Sequence, residues 1–382
     1  MTLSGLVKER RILVCVGSGG VGKTTTAASL GLAGARAGRR TLVLTIDPAK
    51  RLANALGLAH LGHEVQEIPR ERLAEGGFVQ PGGSLFAMML DQKRAFDEIV
   101  ERYAKDPAVR KRIFDNPIYR GASTTLAGSY EYAAMAKLYE IAEANRYDLI
   151  VLDTPPTANA IDFLDAPERM SSAIDSPAID WFVRPYKEAG QFSLKALSIG
   201  TAFILKRIAR FVGSAFLEDI ARFFVEFNTV LGGFRERAKE VFEILRRPDV
   251  AFVMVSSPEP LAVDEALYFF ERLHSAHMPL GAFVVNRVHP ELPPAPSREN
   301  LIEKLTASPE LRGFSPDEVV RVAADLDATY REFASLAEAD AREIGRLRLA
   351  AVEDVSVIEV PLFDGDIYDM DGLSQMVRYL AG

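Results

Sequence analysis

The sequence predicts an α/β fold in which a doubly wound, mostly parallel sheet is flanked by helices and carries an inserted helical subdomain. Short apolar runs alternate with helix-length segments along most of the 382 residues, a pattern typical of a parallel sheet. The first apolar run, Ile12–Val16, continues directly into a glycine-rich turn and then a helix. Over residues 170–249 no strand is predicted, and phenylalanine, leucine and isoleucine recur at helical spacing among charged residues. This segment predicts the helical insertion.

The turn after the first strand, GSGGVGKT at 17–24, satisfies the phosphate-loop pattern G-x-x-x-x-G-K-[ST]. Its glycines allow a tight turn with inward-pointing N–H groups, and the helix predicted over 22–37 adds its positive N-terminal end. Lys23 supplies a mobile cation for the β- and γ-phosphates, and Thr24 supplies a ligand for Mg²⁺. The alternative is a glycine-rich turn of another α/β protein. The context of strand, turn and helix favours a phosphate loop.

Composition narrows the class of protein. The apolar content of 48% allows a large core, whereas the net charge of −8 and the lack of clustered lysine and arginine argue against a nucleic-acid partner. Cys15 is the only cysteine, which excludes an intrachain disulfide and a cysteine metal cluster and fits a reducing compartment. No charge-free run reaches the ~18 residues of a membrane span, and residues 1–10 do not lead into a signal-peptide core. We therefore expect a cytoplasmic protein that does not span a membrane.

Three polar residues are expected at the carboxyl edge of the sheet, where ligands bind in such folds. They are Asp47 after the run 41–46, Asp153 after 149–152 and Asn286 after 281–285. Asp153 completes LIVLD, a Walker B-type strand that directs a carboxylate towards the Mg²⁺ shell. Asp47 has a second interpretation as the N-cap of a short helix predicted over 50–56.

The remaining elements complete the sheet and its helices. Further strands are predicted over 84–90, 250–256 and 355–360. Further helices are predicted over 92–103, 106–114 and 128–145, and a pair of helices over 299–350. One more helix follows residues 257–259 and ends near 276, and the final helix ends near 380. Residues 116–125 are predicted as a polar loop. Residues 154–157, TPPT, are predicted as a proline-set switch that changes position with the γ-phosphate. The charges of the 299–350 pair are interpreted as a solvated face.

Four segments carry a resemblance to a known family. The loop GSGGVGKTT, the strand end TIDPA, the segment LIVLDTPPT and the late VVNR resemble the arsenite-ATPase and guided-entry (tail-anchored-protein targeting) family, which are P-loop NTPases with a deviant Walker A loop. The resemblance covers nearly the full chain in element order. It implies an ATPase that uses ATP and Mg²⁺ and works as a dimer with the nucleotide at the subunit interface.

The resemblance also assigns catalytic roles. It implies that the phosphates and Mg²⁺ are held by Gly19, Gly20, Val21, Gly22, Lys23, Thr24 and Thr25. Lys23 and Asp47 are the catalytic candidates, and Asp47 orients the attacking water. Asp153 joins Thr24 in supporting the metal.

Adenine is the base that the resemblance implies. Asn286 reads the base, and the loop that contains Pro361 and Phe363 flanks it. A guanine reader would show [NT]-K-x-D, whereas this chain continues from Asn286 with Arg287, Val288 and His289. The stretch therefore favours adenine.

Three departures from the family pattern bear on function. Ser18 stands where the family usually has a signature lysine that acts across the dimer on the partner's nucleotide, so we expect a homodimer to hydrolyse ATP slowly. The cysteine triad of the arsenite branch and the Cys-x-x-Cys pair of the eukaryotic targeting branch are both absent. Residues 174–249 contain no methionine, the residue with which targeting members line their client groove.

The expected organisation is an ATPase core that a helical subdomain interrupts twice. The core comprises 1–92, 128–167 with Walker B and switch, and 250–382 with the adenine half, and the subdomain comprises 93–127 and the main insertion 168–249. The phenylalanines of the main insertion have two interpretations: they pack the subdomain, or they form a groove for an apolar protein client.

The leading hypothesis is a dimeric Mg-ATPase whose nucleotide state opens and closes it around a protein or membrane-linked client. The alternative is a weakly hydrolysing regulatory subunit of a heterodimer with a lysine-bearing paralogue. Phosphotransfer to a small molecule is a third interpretation.

Overall fold

The predicted sheet forms the centre of the computed structural model, which describes residues 2–46, 51–75, 77, 79–125, 129–154, 207, 210, 213–351 and 355–381. Its strands are β1 (Ile12–Val16), β2 (Arg40–Thr45), β3 (Gln66–Glu67), β4 (Ser84–Met89), β5 (Leu149–Asp153), β6 (Val250–Ser256), β7 (Leu280–Val288) and β8 (Ser356–Pro361). They form one 8-stranded sheet in the order β3-β4-β2-β5-β1-β6-β7-β8. Among these strands, β3 alone is antiparallel to its neighbour. The predicted fold class is confirmed.

Strand β1 lies in the interior of the sheet and leads into the phosphate loop at its carboxyl end. Ile12 is in register with Ile150 of β5 on one side and with Val250 of β6 on the other. Every residue of β1 is buried, as expected for a parallel strand that helices cover on both faces. The loop therefore emerges between the carboxyl ends of β5 and β6, at the edge where such sheets bind ligands.

Helices cover the two faces of the sheet. In chain order they are α1 (Leu3–Glu9), α2 (Lys23–Arg36), α3 (Arg51–Ala55), α4 (Arg70–Leu73), α5 (Gln92–Tyr103), α6 (Pro107–Asp115), α7 (Pro117–Thr125), α8 (Ser129–Glu143), α9 (Ser214–Leu245), α10 (Pro260–Ser275), α11 (Arg298–Ala307), α12 (Pro316–Ala350) and α13 (Met370–Ala381). Leu13 and Cys15 of β1 pack in a cluster with α1, α2, α3 and α13. Ile12, Val14 and Val16 pack in the opposite cluster, with α5 to α9 and most of α10. Because successive side chains of β1 point to opposite faces of the sheet, the helices on both faces pack against this one strand.

Helix α1 and strand β3 are not predicted from the sequence. Helix α1 begins after Thr2, whose Oγ1 accepts a hydrogen bond from the backbone N–H of Gly5 at 3.2 Å. Its residues Leu3, Leu6 and Val7 are buried. Strand β3 has only 2 residues, so it is too short to show a period in the sequence.

The prediction of a polar loop over 116–125 is wrong, because this segment forms α7. Asn116 starts the helix: its Oδ1 accepts the backbone N–H of Ile118 at 2.8 Å, while its Nδ2 donates to the carbonyl of Asp219 in α9 at 3.0 Å. The ring of Tyr119 is buried, and its hydroxyl donates to Oδ1 of Asp97 in α5 at 2.8 Å. Tertiary contacts with α5 and α9 therefore stabilise a helix in a segment whose polar composition favours a loop.

In the described part of the helical insertion, Phe223 and Phe227 pack in the core, whereas Phe216 is exposed. The rings of Phe223 and Phe227 stack with centroids 4.9 Å apart, and both contact Tyr119. Phe216, at the start of the same helix, is 44% exposed. Most of the main insertion before residue 213 lies outside the described residues. The client groove and the domain boundaries therefore stay predictions.

The predicted helix pair over 299–350 is present as α11 and α12. Ser315 and Glu318 form a capping box at the start of α12, and most charged side chains of the pair are exposed, as predicted. Helix α12 is 35 residues long. In the described part of the chain, however, none of the helices has both the length and the apolar content that a bilayer crossing needs.

Replacing Phe227 by alanine should lower the free energy of unfolding by about 3–5 kcal/mol, because the change removes a buried ring and leaves a cavity. The matched control is Phe216→Ala on the same helix, where a loss below about 1 kcal/mol is expected for an exposed ring. Guanidinium unfolding followed by far-UV circular dichroism measures both losses. Small and equal losses would contradict the assignment of Phe227 to the core.

Candidate functional site

The phosphate loop depends on glycines in conformations that other residues rarely adopt. Gly17 has φ +149°, and a Cβ atom there would lie 2.0 Å from the carbonyl oxygen of Val255 in β6, so no side chain fits. Gly22 has φ +97° and caps the N-terminus of α2. Gly20 is exposed, and an added Cβ would meet no atom within 4 Å. The loop is therefore closed against the sheet and open towards solvent.

Lys23 and the two threonines after it occupy the first turn of α2. Lys23 is 5% exposed, and its Nζ donates to the carbonyl oxygen of Ser18 at 2.6 Å. Thr24 and Thr25 are partly exposed beside it. The ammonium, the hydroxyls and the positive end of the helix together favour an anion at this point.

Asp153 lies beneath the loop and is completely buried. Its Oδ2 accepts a hydrogen bond from Oγ1 of Thr45, at the end of β2, at 2.8 Å. Burial raises the pKa of the neighbouring Cys15 thiol well above its ordinary value; the charge of Asp153 adds to this rise and that of Lys23 opposes it. Cys15 is therefore a neutral thiol, with a carboxylate and an ammonium close to it beneath the phosphate loop.

Asn286 connects β7 to the loop. Its Nδ2 donates to the carbonyl oxygen of Val21 at 3.0 Å. The Val21 side chain is buried in the core, so this residue contributes to the site through its backbone. Arg287, the next residue in β7, has a left-handed φ of +63°, which is uncommon outside glycine.

An open cavity of about 730 Å³ lies over these elements, a size typical of small-molecule sites. Of the predicted nucleotide-binding residues, those that line it are Gly20, Gly22, Lys23, Thr24, Thr25, Asn286, Pro361 and Phe363. Gly19, Val21 and Asp153 are outside this lining. Asp47, the predicted water-orienting residue, lies outside the described residues. The fold thus brings together three segments that are far apart in the sequence.

The cavity is also lined by residues that are not predicted as site residues from the sequence. The added lining residues are Arg51, Asn54, Ala55, Thr154, Arg287, Leu362 and the loop 364–368. Arg51 and Asn54 stand three positions apart in the short helix α3, a spacing that puts them on one helical face. The loop contributes two carboxylates, Asp364 and Asp366. The charges of the lining are therefore mixed, with cations from α2, α3 and β7 and acids from the loop.

Ser18 does not belong to the lining of this cavity. Its Oγ donates a hydrogen bond to Oε2 of Glu265, an exposed residue of α10. The position thus presents an uncharged side chain that contacts an acid of the same chain.

The donor groups fit Mg²⁺ that is bound mainly through phosphate and water. Among the described residues, no three His, Cys, Asp or Glu side chains form a metal-binding cluster. Thr24 lines the cavity, and the Asp153 carboxylate is buried behind it. Mg²⁺ retains several water ligands and needs few protein oxygens. The predicted pair of Thr24 and Asp153 is compatible with that requirement.

The chain is similar in sequence to proteins of one known family. The family model described as anion-transporting ATPase matches residues 10–301. The chain is 26% identical over 290 residues to the putative arsenical pump-driving ATPase 1 of Aquifex aeolicus, covering 74% of this chain and 64% of that protein. It is 25% identical over 305 residues to ATPase GET3C of Arabidopsis thaliana, covering 75% and 68%. With ATPase GET3 of Malassezia globosa it shares 27% identity over 175 residues, covering 45% and 48%.

These matches differ in how much of each protein they cover. The chain spans 64% of the Aquifex protein and 48% of the Malassezia protein. The family match includes the phosphate loop, Asp153 and Asn286 and ends before the loop 361–368. The similarity therefore extends across the phosphate side of the cavity and Asn286.

Gly17→Ala should lower the free energy of unfolding by about 3 kcal/mol or more, because its Cβ would meet the backbone of β6 and force the strands apart. Gly20→Ala is the matched control: it meets only the left-handed backbone penalty of about 1–2 kcal/mol, since nothing crowds that position. Denaturant unfolding of both variants without nucleotide gives the two losses. Equal losses would contradict the close approach of Gly17 to Val255.

Proposed function

This chain belongs to the anion-transporting ATPase family, and from that premise we propose that it binds Mg-ATP in the cavity above β1 and hydrolyses it. The observation that carries the proposal is the cavity of about 730 Å³ that the phosphate loop, Asn286 and the loop containing Pro361 and Phe363 line together. The phosphates would lie at the N-terminus of α2. The base would lie between Asn286 and that loop.

The proposal gives separate roles to the charged residues and the metal-binding threonine of the predicted site. Lys23 binds the β- and γ-phosphates, and Thr24 ligates Mg²⁺, which would neutralise charge on the phosphoryl oxygens. Asp153 supports the water shell of the metal from below, and the hydrogen bond from Thr45 fixes its carboxylate. Asp47 is proposed to orient the attacking water, as the family resemblance implies.

Adenine recognition is proposed for the amide of Asn286. Its Nδ2 already donates to the carbonyl of Val21, so Oδ1 is the atom that would accept the amino group of the base. An amide held in this way can distinguish an amino group from a carbonyl, because only the amino group donates. Val21 thus fixes the specificity of Asn286 through its backbone.

We further propose a dimer that opens and closes with the nucleotide around a protein or membrane-linked client in the cytoplasm. Relatives named as arsenical pump-driving and GET3 ATPases support an ATPase that drives another process. The client surface is proposed for the helical subdomain, in whose main insertion apolar residues recur at helical spacing. Phe223 and Phe227 are not proposed for it, because they pack in the core.

Lys23→Ala should reduce the affinity for Mg-ATP by about 100-fold or more, because loop amides alone cannot offset the charge of the triphosphate. Lys8→Ala, an exposed change on α1, is the matched control and should leave affinity unchanged. Asp153→Asn should retain nucleotide binding but require more Mg²⁺. Titration calorimetry at several Mg²⁺ concentrations measures all three effects. Equal affinity of the wild type and Lys23→Ala would refute the proposed site.

A slow, regulatory ATPase is the second candidate, and Ser18 is the observation that favours it. Its hydroxyl contacts Glu265 and brings no cation to the phosphates. A homodimer would then lack the cation that a lysine at this position would supply in trans. A lysine-bearing paralogue is the proposed partner in this second candidate.

Ser18→Lys combined with Glu265→Gln should raise the kcat of the isolated protein by up to about 10³-fold, because the lysine restores a cation that acts in trans and no acid in cis retains it. Ser18→Gln with Glu265→Gln is the uncharged control. Steady-state phosphate release gives the rates. Fast turnover by the wild type that the lysine does not change would indicate a self-sufficient homodimer.

A further inference from the structure

We propose that Arg51 is a phosphate-binding residue that supplies, from the same chain, a second cation beside Lys23 for the polyphosphate of the nucleotide. The inference rests on the proposed ATP-binding function and deepens it. It concerns a residue outside the phosphate-loop pattern, on the separate helix α3. Three observations support it: the packing of α3, the charge of the cavity walls and the lack of an ionic partner for Arg51 among the residues that the structure describes.

The packing of α3 directs Arg51 into the cavity. Leu52 and Ala55 of α3 are buried, and they share a hydrophobic cluster with Ala27 and Ala28 of α2. The helix is thereby held against the one that begins the phosphate site. Arg51 is left on the exposed side and lines the cavity.

The charge distribution assigns Arg51 to the phosphate end. The acids of the lining, Asp364 and Asp366, belong to the loop proposed for the base, where carboxylates can accept hydrogen bonds from amino or hydroxyl groups. Close to the phosphates they would repel the ligand. The packed helices α2 and α3 instead contribute Lys23 and Arg51, and the third cation of the lining, Arg287, belongs to β7 beside Asn286. The polyphosphate is therefore expected along the wall that these two helices form.

Arg51 is exposed and lines the cavity. Within the described residues it forms no ion pair and no hydrogen bond to a side chain or carbonyl. A guanidinium can bind two phosphate oxygens at once through its planar fork, which an ammonium cannot do. Asn54, on the same face of α3, adds an amide beside it.

The test compares nucleotide affinities of Arg51→Gln, Arg51→Lys and the wild type. Arg51→Gln keeps a long polar side chain at an exposed position, so folding should be unaffected. It should weaken Mg-ADP and a non-hydrolysable Mg-ATP analogue about tenfold, the loss expected for one charge-assisted hydrogen-bonding group. Arg51→Lys should recover part of that loss. Arg298→Gln, an exposed arginine on α11, is the matched control and should have no effect.

Salt dependence separates a phosphate contact from a merely structural role. Loss of an ionic contact should make the affinity of Arg51→Gln fall less steeply with ionic strength than that of the wild type. An affinity of Arg51→Gln within about twofold of the wild type, or an unchanged salt dependence, would overturn the inference. If Lys23→Ala still lost nucleotide binding in that case, the proposed function would stand. Failure of the wild type to bind either nucleotide would overturn both.

Discussion

The close approach between the phosphate loop and strand β6 is the constraint on which the site depends. A Cβ atom at position 17 would clash with the Val255 carbonyl of β6. Only glycine therefore fits at the point where the loop leaves β1. That contact sets the direction in which the loop turns. The N-terminus of α2, with Lys23 and Thr24, is placed accordingly.

Single hydrogen bonds then join the other strand ends to this frame. The Thr154 hydroxyl donates to the Cys15 carbonyl at 2.8 Å, and Asn286 donates to the Val21 carbonyl at 3.0 Å. Each such bond contributes only about 1 kcal/mol net, whereas the strands behind them are buried on both faces. The buried strands therefore contribute most of the stability at this edge of the sheet, and the single polar contacts above them contribute little.

Much of this arrangement could be predicted because it depends on local patterns. Buried runs predicted all the strands except β3, and the spacing of Gly17, Gly22 and Lys23 predicted the loop. The family that the resemblance named is confirmed by the match over 10–301. What could not be predicted depends on tertiary placement. Helix α7 is stabilised by contacts with α5 and α9, and Arg51 enters the cavity only because α3 packs on α2.

The position of β1 in the sheet also determines when, during synthesis, the phosphate loop can adopt its folded conformation. This strand is translated well before its neighbours β5 and β6, which come from Leu149–Asp153 and Val250–Ser256. A nascent chain that ends before β6 therefore holds the nucleotide motif without the surface that shapes it. Long-range pairing of this kind folds slowly and exposes apolar edges in the meantime. A ligand of this loop could therefore stabilise the chain only after β6 has left the ribosome, and it could not guide the folding of the segments that precede β6.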